Sequence, residues 1–389
     1  MTNIAQNYID QINPIKIENK WTQSRADKET RYAHYYAAKT ANLAEKERWS
    51  IDLLKLALAK SKNPAVSCSF GIDSMLDIYL TRKALEELGR NPSDIDIVWN
   101  DTANEFPEVR KFQRHITKLW NLRLIVTKPK RTLKLIIKDH GGITDDYFTL
   151  RKSSRATGGK PLSEKCCNTL KHLPMKQAMR NGKYDLIIVG LRADESRQRL
   201  QAALRDGEYF YSVKEWKSFV CRPIQWWREC DVWEYVEQKN IPYNDLYRKN
   251  LIQEYPNNAG ELALGNRKLL QSVGLDVNAL YNHQVQLVDR RQADTLEQLG
   301  FKIFKPRTGC MMCPIPIKYG YLHWMRINHD KVYNAMIHNL GYGEALVNIL
   351  PDPVKEELQF FLGVELTPEN IHEHLIDMLQ VKPCTFDRF

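Results

Sequence analysis

Residues 64–80, PAVSCSFGIDSMLDIYL, constrain this chain more than any other stretch. The short apolar run Ala65 and Val66 enters a small polar turn, Ser69 to Ser74, and an amphipathic run with Met75, Leu76, Ile78, Tyr79 and Leu80 leaves it. That order predicts strand, tight loop, helix. A helix start carries unpaired backbone N–H groups and a partial positive charge, Gly71 lets the main chain approach closely, and Ser69 and Ser74 add hydroxyl donors. Such a loop suits phosphate. No Lys-Ser/Thr pair follows the glycine at the Walker spacing, which excludes that class of loop. A Ser/Gly turn before a helix also occurs without any ligand, so the neighbouring segments decide.

Those neighbours repeat the rhythm. Asp94–Asn100 reads as a strand, 105–120 as a helix, 122–127 as a strand, 164–180 as a helix and 185–190 as a buried strand; 219–224 suits a fifth strand and 231–239 a helix. Regular alternation predicts an α/β fold, a parallel twisted sheet with helices on both faces. Ligands of such sheets sit beyond the carboxyl ends of the strands, where Ser69 and Asp101 fall. The expected organisation is an N-terminal extension over 1–43, a nucleotide-binding α/β domain over 44–249, a helical insertion over 250–305, and a CxxC segment with a helical tail over 306–389. The polar stretch 139–163 reads as a loop over the site.

At 389 residues, 43% hydrophobic and 27% charged, the chain can bury a sizeable core. No apolar run has the length of a membrane span and no basic-then-apolar leader opens the sequence, so a cytoplasmic protein without a membrane partner is expected. The net charge of +10 points to an anionic partner, a nucleotide, a nucleic acid or both. Eight cysteines in a leaderless chain suit thiols or metal ligands better than disulfides.

Three further segments carry chemistry. Asn100–Glu108, NDTANEFPE, follows a strand; Asp101 and Thr102 can bond the adenosine part of a nucleotide or serve as an ordinary helix cap. In Lys165–Pro174, KCCNTLKHLP, the adjacent thiols of Cys166 and Cys167 lie among Lys165, Lys171 and His172, a setting that favours thiolate, although cysteine is also a common buried residue. Gly190–Arg199 presents Arg192, Arg197 and Arg199, whose forked guanidinium groups match phosphate or sulfate oxygens when they are not simply a solvated face.

As an ordered set these motifs resemble the phosphoadenosine phosphosulfate reductase family of the PP-loop superfamily. The set comprises Ser69–Ser74, Asp101-Thr102 with Phe106-Pro107, Lys165 with Cys166-Cys167, Lys171 and Pro174, Gly190 to Arg192 with Glu195-Ser196 and Arg199, Arg222-Pro-Ile with Asp231 and Trp233, Ile241-Pro-Tyr243 with Leu246-Tyr247, and Arg307 to Cys313. The resemblance implies an adenosine nucleotide, ATP or an adenylylsulfate, along the carboxyl edge of the sheet. Its phosphates would rest on Ser69, Gly71, Asp73 and Ser74, its adenosine near Asp101 and Thr102, and its distal anionic group before Arg192, Arg197 and Arg199. Asp73, Ser74, Lys165 and Arg192 would carry the catalysis, with Mg2+ neutralising the pyrophosphate. Cys166, Cys167, Cys310 and Cys313 are similar to the set that holds a four-iron, four-sulfur cluster in adenylylsulfate reductases, with zinc or no metal as alternatives.

Two departures bear on the reaction. Reductases of the family use a nucleophilic cysteine near the C-terminus in a Glu-Cys-Gly context, whereas Cys384 here sits in Pro-Cys-Thr-Phe. The Asp73-Ser74 pair has the form typical of PP-loop enzymes that cleave ATP to AMP and pyrophosphate. This combination is similar to the ATP pyrophosphatases of DNA phosphorothioation systems. The expected function is therefore AMP-forming ATP cleavage in sulfur transfer, with nucleic acid as an acceptor and a sulfur-donor protein as a partner. The competing expectations are a reductase that releases sulfite from an adenylylsulfate and a non-catalytic nucleotide-sensing or DNA-binding subunit.

Overall fold

The computed structural model describes residues 25–143, 162–212, 215–285, 287–313, 316–317, 320–348 and 352–374. Most of the expected loop over the site, and Cys384, lie outside the described residues. The chain divides into two compact units that interleave along the sequence. One takes in residues up to Asp101, Pro107–Lys128 and His172–Asn244, and the other Thr102–Phe106, Pro129–Lys171 and Asp245 onward.

The first unit is built on a six-stranded sheet in the order β3-β2-β1-β4-β6-β5, with β1 Pro64–Cys68, β2 Asp96–Asn100, β3 Arg123–Thr127, β4 Leu186–Val189, β5 Tyr209–Ser212 and β6 Ser218–Cys221. All pairings are parallel except that of β5 with β6. In the register, Ala65 of β1 stands opposite Asp96 of β2 and Ile187 of β4. Ala65, Val66, Leu186, Ile187 and Ile188 are buried, as parallel strands covered on both faces must be. The α/β architecture read from the sequence is thus the observed one. The antiparallel β5 is an addition, a four-residue aromatic stretch too short for its alternation to stand out beside the preceding helix.

The helices of this unit are α1 Arg25–Thr40, α2 Leu43–Lys60, α3 Ile72–Glu87, α4 Pro107–Leu119, α5 Leu173–Asn181, α6 Arg197–Asp206 and α7 Glu229–Gln238. Asn42 and Glu45 close a capping box at the start of α2, each side chain bonding the other's backbone N–H. In α4, Pro107 is the first residue, and Val109, Phe112 and Ile116 line one buried face. Within the N-terminal extension, residues 25–40 form a helix that packs on the sheet unit, which their polar composition did not suggest. Ala38 of α1 packs with Ala193, Ala203 and Trp226, and the Arg31 guanidinium donates to the carbonyls of Leu204 and Arg205 at the end of α6.

In the second unit, β7 Asn250–Glu254 pairs antiparallel with β8 Leu287–Val288 and β9 Lys302–Phe304. Helices Ala259–Gly265, Arg267–Ser272, Val277–Tyr281 and Arg290–Gln298 lie between these strands, around a core that includes Ala263, Leu270, Leu280, Ala293 and Leu296. The insertion expected to be helical therefore carries a small sheet as well. Its strands have two to five residues, too few to show a period beside the helical pattern. The tail is helical over Tyr321–Asn328, Asp330–Asn334, Tyr342–Asn348 and Asp352–Leu362. Among the described residues no helix is long and apolar enough to cross a membrane.

One buried ion pair ties α2 to α7. The Lys46 ammonium meets Oδ2 of Asp231, both residues 4% exposed, and Arg228 donates to the same carboxylate through Nε at 3.1 Å and Nη2 at 2.8 Å. Burial alone would raise the Asp231 pKa, but bonds from Arg228 and Lys46 bring it down to about 2. Because the folded value lies below the unfolded one, this stabilisation is complete above the ordinary carboxylate range and is lost as pH falls toward about 2. Asp231→Ala strands a buried ammonium and is expected to cost about 3 kcal/mol in urea unfolding at neutral pH; a loss under about 1 kcal/mol would show the pair to be dispensable.

Candidate functional site

Each unit holds a candidate site. In the first, β1 ends at Cys68, and the chain turns through Ser69 and Phe70, whose φ of 57° lies in the left-handed region. The Phe70 ring is fully buried and meets Trp99 and Phe112 edge-on, so core packing holds the turn in this unfavourable conformation. Gly71 then caps α3 and brings no side-chain acceptor to the first-turn amides. The two serines lace the turn: Ser74 Oγ donates to the Gly71 carbonyl at 2.9 Å, the Ser69 amide donates to Ser74 Oγ at 3.3 Å, and the Gly71 amide donates to Ser69 Oγ at 3.3 Å. Ser74 is buried while Ser69 is exposed at the mouth. A laced turn at the positive end of a 16-residue helix has the geometry to hold an anion without a lysine.

Behind it, β4 feeds Gly190 against the first turns of α3. A Cβ on Gly190 would lie 3.0 Å from the Asp73 carbonyl and 3.0 Å from Asp77 Oδ2, so only glycine fits without displacing backbone. The next residue but one, Arg192, is 4% exposed, and its Nε donates to Asp73 Oδ1 at 2.6 Å while Nη1 meets Asp194. Burial raises the Asp73 pKa and Arg192 pulls against that rise. Arg192 therefore fastens the loop after β4 to the phosphate-loop helix. Arg197 is exposed at the start of α6, and Arg199, half-buried, pairs with Glu195 at 3.4 Å.

Asp101, 4% exposed after β2, is held by both arms of Arg110 from α4, at 2.7 and 2.9 Å, with Lys128 at 3.9 Å. Its carboxylate thus already has a bidentate partner, which the sequence reading did not name.

The second site gathers the four expected cysteines in the second unit. Cys166 and Cys167 end the helix Leu162–Cys167, which widens into a π-helical turn, Asn168–His172. Cys310 and Cys313 lie on a loop that pairs with 102–106: Glu105 bridges Cys310, and the Met311 amide donates to the Asn104 carbonyl at 2.6 Å. Tyr321 and Tyr342, both buried, donate to the carbonyls of Met311 and Met312 and pin the loop from the other side. The Cys310 thiol donates to Thr102 Oγ1 at 3.7 Å, and Thr102 in turn donates to Glu105 at 2.6 Å. Thr102, read as an adenosine contact, bonds within this cysteine site.

The electrostatics join the four thiols. Burial, then Cys167, Cys310 and Cys313, push the Cys166 thiol up to about 12, with Lys171 opposing. Burial alone would lower the Lys171 pKa, yet Cys310, Cys167, Cys313 and Glu105 hold it above its ordinary value. One buried ammonium thus faces a group of thiols that repel one another as thiolates. Among the described residues no three His, Cys, Asp or Glu side chains form a group that could hold a metal ion as placed. Lys165 is exposed and lies within electrostatic reach of His140.

Residues 63–316 match the family model described as phosphoadenosine phosphosulfate reductase domain. Sulfate adenylyltransferase subunit 2 of Methylorubrum extorquens is 28% identical over 227 residues, 53% of this chain and 65% of that relative, so the chain spans less than two thirds of its length. Adenosine 5′-phosphosulfate reductase of Bacillus cereus is 28% identical over 207 residues, 52% of this chain and 76% of that relative. Among solved structures, a phosphoadenylyl-sulfate reductase from Candida auris matches with a TM-score of 0.36 and 16% identity, covering 58% of this chain and 91% of that one.

One residue of the first site was legible and passed over. Asp77 stands one helical turn after Asp73 in the same helix; it is 0% exposed, and neither carboxylate oxygen has a hydrogen-bond partner among the described residues, nor has Thr81 Oγ1 a turn later. Burial, reinforced by Asp73, drives its pKa well above the ordinary carboxylate range, so the folded protein holds it protonated. Since the folded value is the raised one, stability is greatest at low pH and declines as pH climbs toward that value. Asp77→Asn, which cannot ionise, should gain stability relative to the parent as pH rises from the ordinary carboxylate range, about 4, upward, measured by urea midpoints. Parallel profiles for the two proteins would contradict a buried neutral carboxyl.

Proposed function

The chain belongs to the phosphoadenosine phosphosulfate reductase domain family, and from that premise we propose that it is a PP-loop enzyme that cleaves ATP to AMP and pyrophosphate in the service of sulfur transfer. The observation that carries this reading is the laced Ser69–Ser74 turn at the start of α3, with Asp73 in the first helical turn. Ser69, Ser74 and the first-turn amides bind the pyrophosphate portion of the nucleotide. Asp73 gives one carboxylate oxygen to Arg192, and its second oxygen is what the loop can offer to magnesium. When bound, that ion supplies charge neutralisation for the departing pyrophosphate.

In the proposed sequence, an acceptor oxygen attacks the α-phosphorus of ATP, the bond to the bridging oxygen breaks, and pyrophosphate leaves with that electron pair. A sulfur nucleophile from a donor protein then forms a bond at the activated centre, and AMP departs with the acceptor's oxygen. The net charge of +10 is in keeping with a nucleic-acid acceptor, as in DNA phosphorothioation. Four thiols in mutual electrostatic reach beside Lys171 are a donor set that fits a four-iron, four-sulfur cluster, and adjacent cysteines such as Cys166 and Cys167 suit a single tetrahedral zinc less well. When bound, such a cluster supplies electron-transfer and sulfur-ligating chemistry. Cys166, Cys167, Cys310 and Cys313 would hold it, and Lys171 would offset its charge.

A second reading, a reductase that releases sulfite from an adenylylsulfate, is favoured by this same cysteine set and by the Bacillus cereus relative's name. Product analysis separates the two. The chain, purified anaerobically and supplied with DNA and a sulfur donor, should release pyrophosphate from ATP and contain about four iron atoms. Sulfite from an adenylylsulfate with thiol reductant, and no pyrophosphate from ATP, would overturn ATP cleavage; stoichiometric zinc would overturn the cluster. Asp73→Ala and Ser74→Ala should each weaken nucleotide binding about tenfold or more, a loss of about 1.4 kcal/mol. Cys384→Ala should leave that affinity in place.

A further inference from the structure

Beside the phosphate loop, the first unit has an open pocket of about 270 Å³ between the start of α6 and the turn that follows β6, lined by Arg192, Ser196, Arg199, Arg222 and Gln225 among others. Arg192 is committed to Asp73 and Asp194. Arg222 is not so well compensated. Its side chain is 13% exposed, its Nε has no hydrogen-bond partner among the described residues, and its carboxylate neighbour Asp206 stands 3.9 Å away. That carboxylate is already taken by Nε and Nη2 of Arg205, each at 2.6 Å. The Arg222 guanidinium lies over the Phe210 ring, 4.6 Å from its centroid, which fixes the plane of its fork. Burial lowers its pKa, Asp206 opposes that, and Arg205 and Arg199 add repulsion.

Gln225 supplies an independent observation. It is 1% exposed, and both Oε1 and Nε2 lack a hydrogen-bond partner among the described residues. Its backbone is fixed, because its carbonyl accepts from the Ala193 amide at 2.7 Å and its amide donates to the Arg222 carbonyl at 3.2 Å. The pocket also faces the first turn of α6, a ten-residue helix whose cap, Ser196, accepts from the Arg199 amide at 3.2 Å. A buried side-chain amide with both ends unmet implies a missing partner. Water could meet the amide, but water does not balance the charge of Arg222.

We infer that this pocket binds a phosphate or sulfate ester group, with the fork of Arg222 and the Nε2 amide of Gln225 on its oxygens and Arg199 and Ser196 at its rim. An oxyanion accepts from all of these donors, which a carboxylate's two oxygens serve less well, and guanidinium matches it bidentately. The volume exceeds what a bare tetrahedral anion fills, leaving room for the sugar that carries it. The site is separate from the Ser69–Ser74 turn and stands whether the enzyme cleaves ATP or reduces a sulfonucleotide. The group is either part of the bound nucleotide or a separate anion, and the nucleotide arm below distinguishes them.

The test uses the full chain and sodium sulfate, with chloride holding ionic strength constant, read by thermal shift and calorimetry. Sulfate should stabilise the protein saturably. Gln225→Leu, and Arg222→Lys, which keeps the charge but loses the fork, should each raise the half-saturating concentration of one binding phase about tenfold or more; Ser69→Ala should leave that phase in place and alter only a separate one at the Ser69–Ser74 turn. No saturable effect on the parent protein, equal effects on all variants, or loss confined to Ser69→Ala would overturn the site. In a second arm, AMP is compared with adenosine 3′,5′-bisphosphate. Preference for the bisphosphate that Gln225→Leu removes assigns the group to the nucleotide. Equal affinities, with sulfate binding unaffected by AMP, assign it to a separate anion, and either result supports the pocket.

Discussion

The close approach of Gly190 to the first turns of α3 is the constraint on which the phosphate loop depends. Parallel pairing of β1 with β4 brings the ends of both strands to the same edge, and the missing side chain lets the β4 backbone reach the carbonyl of Asp73. Arg192, two residues further on, bonds Asp73 and holds the helix start from behind. The turn itself is held from the front by the buried Phe70 ring and by the two serine hydroxyls. On the proposed reading an anion would meet a helix start whose backbone is already fixed, so little of the main chain would have to be ordered on binding.

A second theme is charge kept under tension by burial. Asp77 is held neutral under the loop, Arg222 lies in a pocket with its nearest carboxylate already engaged, and Lys171 stands among thiols whose own ionisation burial opposes. Each costs stability in the empty protein, and such costs are characteristic of places that take a ligand. The Lys46–Asp231 pair, by contrast, is satisfied internally and reads as structure. The distinction rests on whether the partners already present complete the hydrogen bonds and charge of the buried group.

How much of this was legible in the sequence follows from the range of each interaction. The strand–turn–helix of residues 64–80 and the alternation after it are local, and period and turn chemistry reveal them. The cysteine set was legible through its spacing and resemblance. The bidentate grip of Arg110 on Asp101 was not, because the two stand nine positions apart with a segment of the other unit between them. Nor was the pocket of Arg222 and Gln225, which needs the turn after β6 beside a helix that begins some twenty-five residues earlier. Two of the strands of 250–305, β8 and β9, escaped because two or three residues cannot display a period of two. Asp77 was visible as a carboxylate at helical spacing from Asp73, and only its burial makes it significant.

The central claim, that the Ser69–Ser74 turn is a phosphate receptor, is tested most directly by a crystal structure of the full chain with a non-hydrolysable ATP analogue and magnesium. The account predicts phosphate oxygens within hydrogen-bond distance of Ser69, Ser74 and the first-turn amides of α3, with the Arg192–Asp73 bond retained. Nucleotide bound elsewhere, with the turn closed over its own hydroxyls and no phosphate at the helix start, would contradict it.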